Sequence, residues 1–303
     1  MALKRLSLFF MALLFSFSLK AQEAYIMVLG IAQDAGYPQL SCKKTCCESM
    51  KHNPSKPEYV SSLALVFPED NTYYLFDCTP DFKKQNLLLR ETQKGAELKG
   101  IFLTHAHIGH YTGLMFLGRE SLSSKNTPVY AMPRMRNFLE ENGPWSQLVS
   151  LQNIQLEAIE NKEVLLNEVQ ISTIEVPHRD EFSETVAYSI KSKKRSVLFV
   201  PDIDKWSKWE QDIKSLVKQY DFLFIDGTFY QENELPDRPM SEVPHPFIEE
   251  SMNLLKDLDK NEKAKVHFIH LNHTNHLLWD SKAQLDFEKS GFKLAKTGQI
   301  VKL

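Results

Sequence analysis

Short apolar runs separated by polar turns recur along most of this chain. Such runs, bounded by Gly, Pro, Asn or Asp, are typical of buried strands. By this pattern we predict strands at 24–30, 61–67, 72–76, 101–104, 129–132, 169–176, 185–190, 196–200, 222–225, 265–269 and 292–301. Five segments favour helices, namely 83–92, 111–117, 134–142, 206–220 and 246–258.

The order of these elements predicts an α/β fold. Strands come first and then alternate with helices, twice over, which suggests two sheets with helices outside. Many predicted strands end in an aspartate or a histidine, namely Asp77, His105, His178, Asp202, Asp226 and His270. Polar residues gathered at one edge of a sheet sandwich are what a site on a rigid scaffold requires.

Three histidines, His105, His107 and His110, directly follow one of these apolar runs. Alternate strand residues point to the same side, so His105 and His107 can aim at one point. Imidazole is suited to zinc, and a strand end holds it rigidly. Three solubilising loop histidines are the alternative. However, the chain has only 10 histidines in 303 residues, so this density favours metal binding.

Composition and charge narrow the class of protein. The chain is 43% hydrophobic and 25% charged, which is typical of a soluble globular protein with a large core. The formal net charge is -3, without a basic excess. We therefore do not expect nucleic acid as a partner.

The segment 1–22 predicts a secretory signal peptide. A basic start precedes an apolar run at 6–19 and a small residue, Ala21. The run is short for a membrane span of about 20 apolar residues, although an uncleaved anchor is the alternative. We expect a periplasmic or secreted protein whose mature domain, 23–303, has no membrane span.

The chain has four cysteines, and Cys42, Cys46 and Cys47 lie close together. Export implies an oxidising compartment in which disulfides are allowed. Their close spacing nevertheless suits metal chelation better than a disulfide between distant segments. Cys78 follows a strand end, where we expect a buried thiol.

The order of the histidines and aspartates resembles the metallo-β-lactamase superfamily. Its signature is His-x-His-x-Asp-His after a strand, followed by a distant His, a strand-end Asp and a last His. The corresponding strings are His105-Ala-His107-Ile-Gly109-His110, Val176-Pro-His178, Phe199-Val-Pro-Asp202 and Phe268-Ile-His270. The resemblance covers about 24–303 and implies an αββα sandwich of two mixed sheets with outer helices.

The resemblance also implies two neighbouring metal sites. The implied ligands are His105, His107 and His178 for the first site, His110 and His270 for the second, and Asp202 bridging both. Asp77 would orient a histidine, with a turn-capping aspartate as the alternative. Three neutral imidazoles leave an open zinc position, where the pKa of bound water falls to about 7.

Gly109 departs from the signature, because the family's usual aspartate at this position ligates the second metal. Three protein ligands plus water can still hold zinc there, with less negative charge. Asp180 and Asp204 are candidates to replace the missing carboxylate, and each is equally well explained as a surface charge. Whether the catalytic site holds one or two ions therefore stays open.

Five short strings are similar to the branch that contains coenzyme pyrroloquinoline quinone biosynthesis protein B and the cyclic phosphodiesterases of phosphonate breakdown. They are Gly36-Tyr-Pro-Gln39, Val176-Pro-His-Arg-Asp180, Ser183-Glu-Thr185, Phe224-Ile-Asp-Gly-Thr228 and Ile269-His-Leu-Asn-His-Thr-Asn275. In that branch a cysteine cluster and a histidine bind a structural zinc. This implies such a site at Cys42, Cys46, Cys47 and His273, with a disulfide or free thiols as the alternatives.

The resemblance implies an exported zinc-dependent hydrolase, in which a metal-bound hydroxide attacks a phosphodiester, an ester or a lactone. Asp202 and His245 are the expected catalytic residues. His245 can bind substrate or shuttle protons, with a plain loop histidine as the equal alternative. Arg179 can bind an anionic substrate, and a structural salt bridge explains it equally well. The alternatives are an oxidative, iron-dependent role in cofactor biosynthesis and a non-catalytic metal-binding module.

Overall fold

A computed structural model describes residues 22–52, 57–179, 181–235, 239 and 242–303. The predicted signal peptide, apart from Gln22, and the candidate ligand Asp180 lie outside the described residues. Within the described ranges, no helix is long and apolar enough to cross a membrane.

Seven strands of the described chain form the first sheet. They are β1 (Tyr25–Gly30), β2 (Ser62–Phe67), β3 (Thr72–Phe76), β4 (Glu97–Phe102), β5 (Thr127–Ala131), β6 (Ile154–Ala158) and β14 (Ile300–Lys302). Their order is β14-β1-β2-β3-β4-β5-β6. The pairs from β14 to β3 are antiparallel, and those from β3 to β6 are parallel.

The second sheet also has seven strands in the part of the chain that is described. They are β7 (Val164–Leu166), β8 (Val169–Glu175), β9 (Val186–Lys191), β10 (Ser196–Val200), β11 (Phe222–Asp226), β12 (Val266–Ile269) and β13 (Lys293–Leu294). Their order is β13-β12-β11-β10-β9-β8-β7. Antiparallel pairs run from β7 to β10 and parallel pairs from β10 to β13, so both sheets are mixed.

The helices are short and connect the strands. They are α1 (Thr45–His52), α2 (Phe82–Thr92), α3 (Ile108–Tyr111), α4 (Pro133–Glu141), α5 (Trp145–Ser150), α6 (Ile213–Gln219), α7 (Ile248–Leu254), α8 (Lys260–Lys263) and α9 (Ser281–Glu288). Single 3-10 segments lie at Thr112–Leu117, Trp206–Lys208 and His276–Leu278.

The alternating residues of β1 show how the layers are arranged. Ile26 and Val28 belong to the core that contains residues of both sheets, whereas Met27 and Leu29 belong to a second core that includes residues of α2, α4 and α5. Successive strand residues point to opposite faces, so a strand with both faces covered is apolar throughout. The predicted architecture of two sheets with outer helices is confirmed.

Aromatic rings join the two sheets. The ring of Phe76 on β3 stacks on that of Phe102 on β4, with centroids 5.1 Å apart. Across the interface, Phe76 meets the ring edges of Tyr188 at 5.2 Å and Phe199 at 6.5 Å. These contacts lie directly behind the strand ends of β3 and β4 and fix one sheet against the other.

Two predicted elements are divided in the structure. The helix predicted at 206–220 is a 3-10 segment followed by α6, because the Asp212 carboxylate accepts hydrogen bonds from the N–H groups of Lys214 and Ser215 and caps a new helix. The strand predicted at 292–301 is split between β13 and β14, which belong to different sheets. The helix predicted at 111–117 is the 3-10 segment Thr112–Leu117, which follows α3. The pattern did not predict α1, α3, α5, α8, α9, β6 or β7, which are short.

The polar residues predicted at strand ends do follow or end strands in the structure. Asp77 follows β3, His105 follows β4, His178 follows β8, Asp202 follows β10, Asp226 ends β11 and His270 follows β12. The sandwich thus carries the candidate chemistry on its strand ends.

We expect Phe76→Ala to lower the free energy of unfolding by about 3–5 kcal/mol, because it empties the centre of the aromatic contact between the sheets. Urea unfolding followed by circular dichroism measures this loss. Phe182→Ala is the matched control, since Phe182 is 58% exposed, and it should cost below about 1 kcal/mol. Equal losses in the two variants would contradict the central role of Phe76.

Candidate metal centre

Four side chains meet where β4, β8 and β10 end. His105, His107, His178 and Asp202 each offer a ligand atom within 4.8 Å of the others. His105 Nε2 lies 2.9 Å from His107 Nδ1. The Asp202 oxygens lie 3.3 Å from His105 Nε2 and 3.3 Å from His178 Nε2. We call these four residues the first cluster.

A second cluster adjoins the first and consists of Asp34, His110 and His270, whose ligand atoms also lie within 4.8 Å of one another. His110 Nε2 is 3.5 Å from Asp34 Oδ1. Asp202 Oδ2 is 3.7 Å from His110 Nε2 and 3.8 Å from His270 Nε2. Asp202 therefore stands between the clusters, where the family resemblance implies a bridging ligand.

Asp77 is fully buried and orients two histidines from behind. Its Oδ2 accepts a hydrogen bond from His110 Nδ1 at 2.7 Å. The Thr104 hydroxyl donates to the same carboxylate at 2.9 Å and lies 2.9 Å from His105 Nδ1. These partners place the Nδ1 protons of both rings on the inner side, which turns their Nε2 lone pairs toward the clusters.

Asp226 has the equivalent position in the second sheet. Thr228 Oγ1 donates to its Oδ1 at 2.7 Å and lies 3.0 Å from His270 Nδ1. The Oδ2 atom of Asp226 accepts from His245 Nδ1 at 2.8 Å. His245 Nδ1 is also 3.1 Å from Asp202 Oδ1. A buried carboxylate and a threonine hydroxyl thus stand behind the histidines of each sheet.

Several ligand atoms of the two clusters are buried without a hydrogen-bond partner among the described residues. They are the Nε2 atoms of His107, His110, His178 and His270, and the Oδ1 atoms of Asp34 and Asp202. A buried unpaired polar atom costs about 1–3 kcal/mol. Imidazole nitrogen and carboxylate oxygen are the donors that zinc and related divalent ions prefer. The residues present therefore fit a bound metal.

Protonation states in the first cluster also suit a metal. Burial lowers the pKa of His105 well below its ordinary value, and it lowers the pKa of His178 to about 4. Burial raises the pKa of Asp202, but the charges of His178 and His270 outweigh it and hold this pKa well below its ordinary value. Neutral imidazoles and ionised carboxylates are the forms that ligate metals.

His110 and His245 differ from the other histidines. Burial lowers the pKa of His245, but Asp226 and Asp202 raise it to about 10. Burial also lowers the pKa of His110, but Asp77 and Asp34 raise it well above its ordinary value. His245 is therefore a buried, protonated histidine beside Asp202. At His110, a proton and a metal would compete for Nε2.

A third group lies beside α1 and brings together ligand atoms of Cys42, Cys46 and His273 within 4.8 Å. Cys46 Sγ is 3.9 Å from both Cys42 Sγ and Cys47 Sγ. The cysteines are free, and these separations far exceed a disulfide bond of about 2 Å. His273 Nδ1 is buried without a hydrogen-bond partner in the described ranges. The structure thus assembles three of the four predicted ligands, with Cys47 beside them.

Arg179, the candidate contact for an anionic substrate, lies outside the clusters. Arg179 is exposed and is 3.8 Å from Glu181, which in turn lies 3.5 Å from His107 Nε2. This position keeps Arg179 as a candidate contact for an anionic substrate.

Four residues of the centre were not predicted as site residues from the sequence, namely Asp34, Thr104, Asp226 and Thr228. Asp226 was predicted only as a strand end, and Thr104 and Thr228 lie next to strand ends. Their position beside the predicted site was the one sequence feature that could have indicated them. Asp34 lies in a turn after β1 and carries no comparable signal.

Asp204, a candidate to replace the carboxylate missing at Gly109, has other partners. Its oxygens accept hydrogen bonds from Lys208 Nζ at 2.7 Å and from the Lys205 N–H at 2.7 Å. These contacts favour the alternative interpretation of Asp204 as a surface charge, because the side chain is held by two lysines that follow it in the chain.

Known proteins with similar sequences were found over nearly the whole chain. A family model described as a β-lactamase superfamily domain matches residues 72–268. Coenzyme PQQ synthesis protein B of Acinetobacter baumannii (strain ACICU) is 22% identical over 305 residues, covering 92% of this chain and 100% of that protein. The protein of the same name from Rhizobium meliloti (strain 1021) is 24% identical over 314 residues, covering 94% and 99%.

Solved structures agree with this relationship. Zn(2+)-bound PqqB from Methylobacterium extorquens superposes with a TM-score of 0.76 at 21% identity, covering 92% of this chain and 100% of that chain. A diphosphatase from the PhnP family has a TM-score of 0.65 at 20% identity, covering 93% and 98%. The predicted metallo-β-lactamase fold and the resemblance to this branch are confirmed.

We expect Asp77→Asn to weaken metal binding by about 10–100-fold, since partners that orient a ligating histidine have effects of this size. Competition with a chelating dye measures the affinity. Asp212→Asn is the matched control, because Asn caps a helix as well as Asp does. Unchanged affinity in Asp77→Asn would exclude an orienting role for this carboxylate.

We expect Cys46→Ala to remove about one equivalent of zinc per chain, because it takes one thiolate from a closed tetrahedral site. Elemental analysis of the purified protein gives the count. Cys78→Ala removes a buried thiol that belongs to none of the groups above and should keep the full count. A disulfide or plain thiols would be indicated if both variants retained all of their zinc.

Proposed function

The chain belongs to the β-lactamase superfamily, and from this premise we propose that it is an exported zinc-dependent hydrolase acting on a phosphodiester, an ester or a lactone. The observation that carries the proposal is the pair of adjacent clusters that share Asp202 and contain buried ligand atoms without other partners. The family and its solved neighbours support a metal-dependent hydrolase or a PqqB-like role.

In this proposal His105, His107, His178 and Asp202 hold one ion, and His110, His270 and Asp202 are available for a second. A divalent ion supplies a Lewis acid and lowers the pKa of bound water. The protein's own part is orientation. Asp77 and Asp226, each with a threonine, keep the imidazole nitrogens aimed at the clusters.

His245 is the proposed proton donor to the leaving group. Its Nδ1 donates to Asp226 at 2.8 Å, and the charge of this carboxylate, which is not among the proposed ligands, raises the pKa of the ring. The other ring nitrogen then carries the proton that a leaving alkoxide needs. Arg179 is the proposed contact for a negatively charged substrate.

Two properties of the substrate follow from the same reasoning. A small anionic molecule, above all a phosphodiester, suits both Arg179 and a protonated His245. The net charge of -3 makes nucleic acid an unfavourable partner. The proposed periplasmic or secreted location rests on the basic and apolar pattern of residues 1–22.

A PqqB-like role in cofactor biosynthesis is the second candidate. It is supported by relatives named coenzyme PQQ synthesis protein B that align with 92% of the chain. The signal-peptide pattern weighs against it, because precursor steps of such a pathway are expected in the cytoplasm. Bound iron together with oxygen consumption on a tyrosine-derived substrate would favour this candidate over hydrolysis.

We expect the zinc-loaded mature chain, 23–303, to hydrolyse bis(p-nitrophenyl) phosphate, and we would assay p-nitrophenyl esters and lactones in parallel. His270→Gln should lower kcat/KM by more than about 100-fold, beyond the usual effect of a partner outside the ligand set. His267→Gln is the matched control, since His267 lies on β12, the strand that His270 directly follows, and its Nδ1 contacts the Lys265 carbonyl oxygen instead of the clusters.

No turnover on the whole panel at full zinc occupancy would argue against a hydrolase and for a non-catalytic metal-binding protein. Equal losses in the His270 and His267 variants would indicate a folding defect instead of a loss of catalysis.

A further inference from the structure

The space beside Gly109 is filled by another part of the chain. A Cβ atom built on Gly109 would lie 2.4 Å from Asp34 Oδ1 and 2.5 Å from Asp34 Cα. Contacts of real Cβ atoms below 3.0 Å are essentially never seen. The aspartate side chain that the superfamily signature has at this position therefore would not fit here. Asp34, itself an aspartate, occupies that space.

Asp34 points this carboxylate into the second cluster. Its Oδ1 is 3.5 Å from His110 Nε2 and has no hydrogen-bond partner among the described residues, although the atom is buried. His110 Nε2 and His270 Nε2 are buried and unpaired in the same way. Three potential ligand atoms that face one another without other hydrogen-bond partners are typical of a metal site.

The backbone holds Asp34 in this position from two sides. Asp34 lies in a β-turn in which the Gly36 N–H donates to the Gln33 carbonyl oxygen at 2.8 Å, and Gly36 has a φ of 72°. The Gln33 N–H donates to the Leu271 carbonyl oxygen at 2.9 Å, and the Leu271 N–H donates to that of Ile31 at 2.7 Å. The turn is thus tied to the residue that follows His270.

We propose that Asp34 replaces the missing aspartate of the histidine motif as the carboxylate ligand of the second metal, and that Gly109 is glycine because Asp34 occupies its side-chain space. The inference rests on the proposed metal centre and completes its second site as Asp34, His110, His270 and the shared Asp202. The catalytic centre then holds two ions.

Other carboxylates near the centre serve this role less well. Asp204 is bonded to Lys205 and Lys208. Glu181 is 52% exposed and lies near His107 of the first cluster and Arg179. In the described part of the chain, Asp34 is the carboxylate grouped with both His110 and His270.

The test compares two single variants, their combination and two matched controls in the full mature chain. We expect Asp34→Asn to bind about one equivalent of zinc fewer than the unchanged protein, with affinity for the second ion reduced more than about 100-fold. Asp204→Asn removes the rejected carboxylate and should keep the full zinc count. Elemental analysis and zinc titration with a competing chelator give both quantities.

Gly109→Ala gives an independent readout, because its methyl group displaces Asp34 without removing it. It should also lose the second ion, and Asp34→Asn with Gly109→Ala should lose no more than either alone, as expected for residues acting at one site. Gly143→Ala is the control, since a Cβ built there has no heavy atom within 4 Å. Additive losses would overturn the shared site.

A thermal scan separates ligation from folding. With chelator present, Asp34→Asn should keep one cooperative unfolding transition, with a Tm that is lower because the charge of Asp34 beside His110 is lost. The rise in Tm on adding zinc should be smaller than in the unchanged protein. A full zinc count in Asp34→Asn would overturn the proposal and leave the hydrolase function standing. Loss of one ion from a protein that hydrolyses nothing would support Asp34 as a ligand and contradict only the proposed function.

Discussion

The structure depends on a pocket in which imidazole and carboxylate atoms are buried facing one another. Unpaired donors of this kind are unfavourable unless a cation lies among them, because each has lost its hydrogen bonds to water. Asp202 is the centre of this arrangement, since its two oxygens reach histidines of both clusters. The surrounding fold must keep these groups from turning away toward solvent.

Each sheet contributes a matching support to that pocket. Asp77 with Thr104 stands behind His105 and His110 in the first sheet. Asp226 with Thr228 stands behind His270 and His245 in the second. The stacked and edge-on rings of Phe76, Phe102 and Tyr188 then fix the two sheets together. Two features therefore orient the ligands. Hydrogen bonds from the carboxylates and threonines hold each histidine ring, and packing of the two sheets holds the strand ends together.

The sequence predicts much of this arrangement because strand ends are visible in it. Apolar runs followed by His105, Asp202 and His270 indicate both the sheets and the residues at their ends. Short elements such as α5 and β6 were not predicted, since a few residues carry little periodicity. Thr104 and Thr228 were not predicted as site residues for another reason. A hydroxyl behind a histidine has no characteristic spacing, and only the folded geometry shows that it bridges to a carboxylate.

By itself the sequence predicted the fold class and a metal centre with histidine and aspartate ligands, because strand periodicity, residue chemistry and the resemblance to a known superfamily are all visible in it. It also exposed the break in the motif at Gly109. Only the tertiary structure decided which carboxylate faces the second cluster. The turn that carries Asp34 is distant from Gly109 in the chain and meets it through space, held there by hydrogen bonds beside His270. Contacts of this kind depend on how the sheets assemble, and no spacing in the sequence records them.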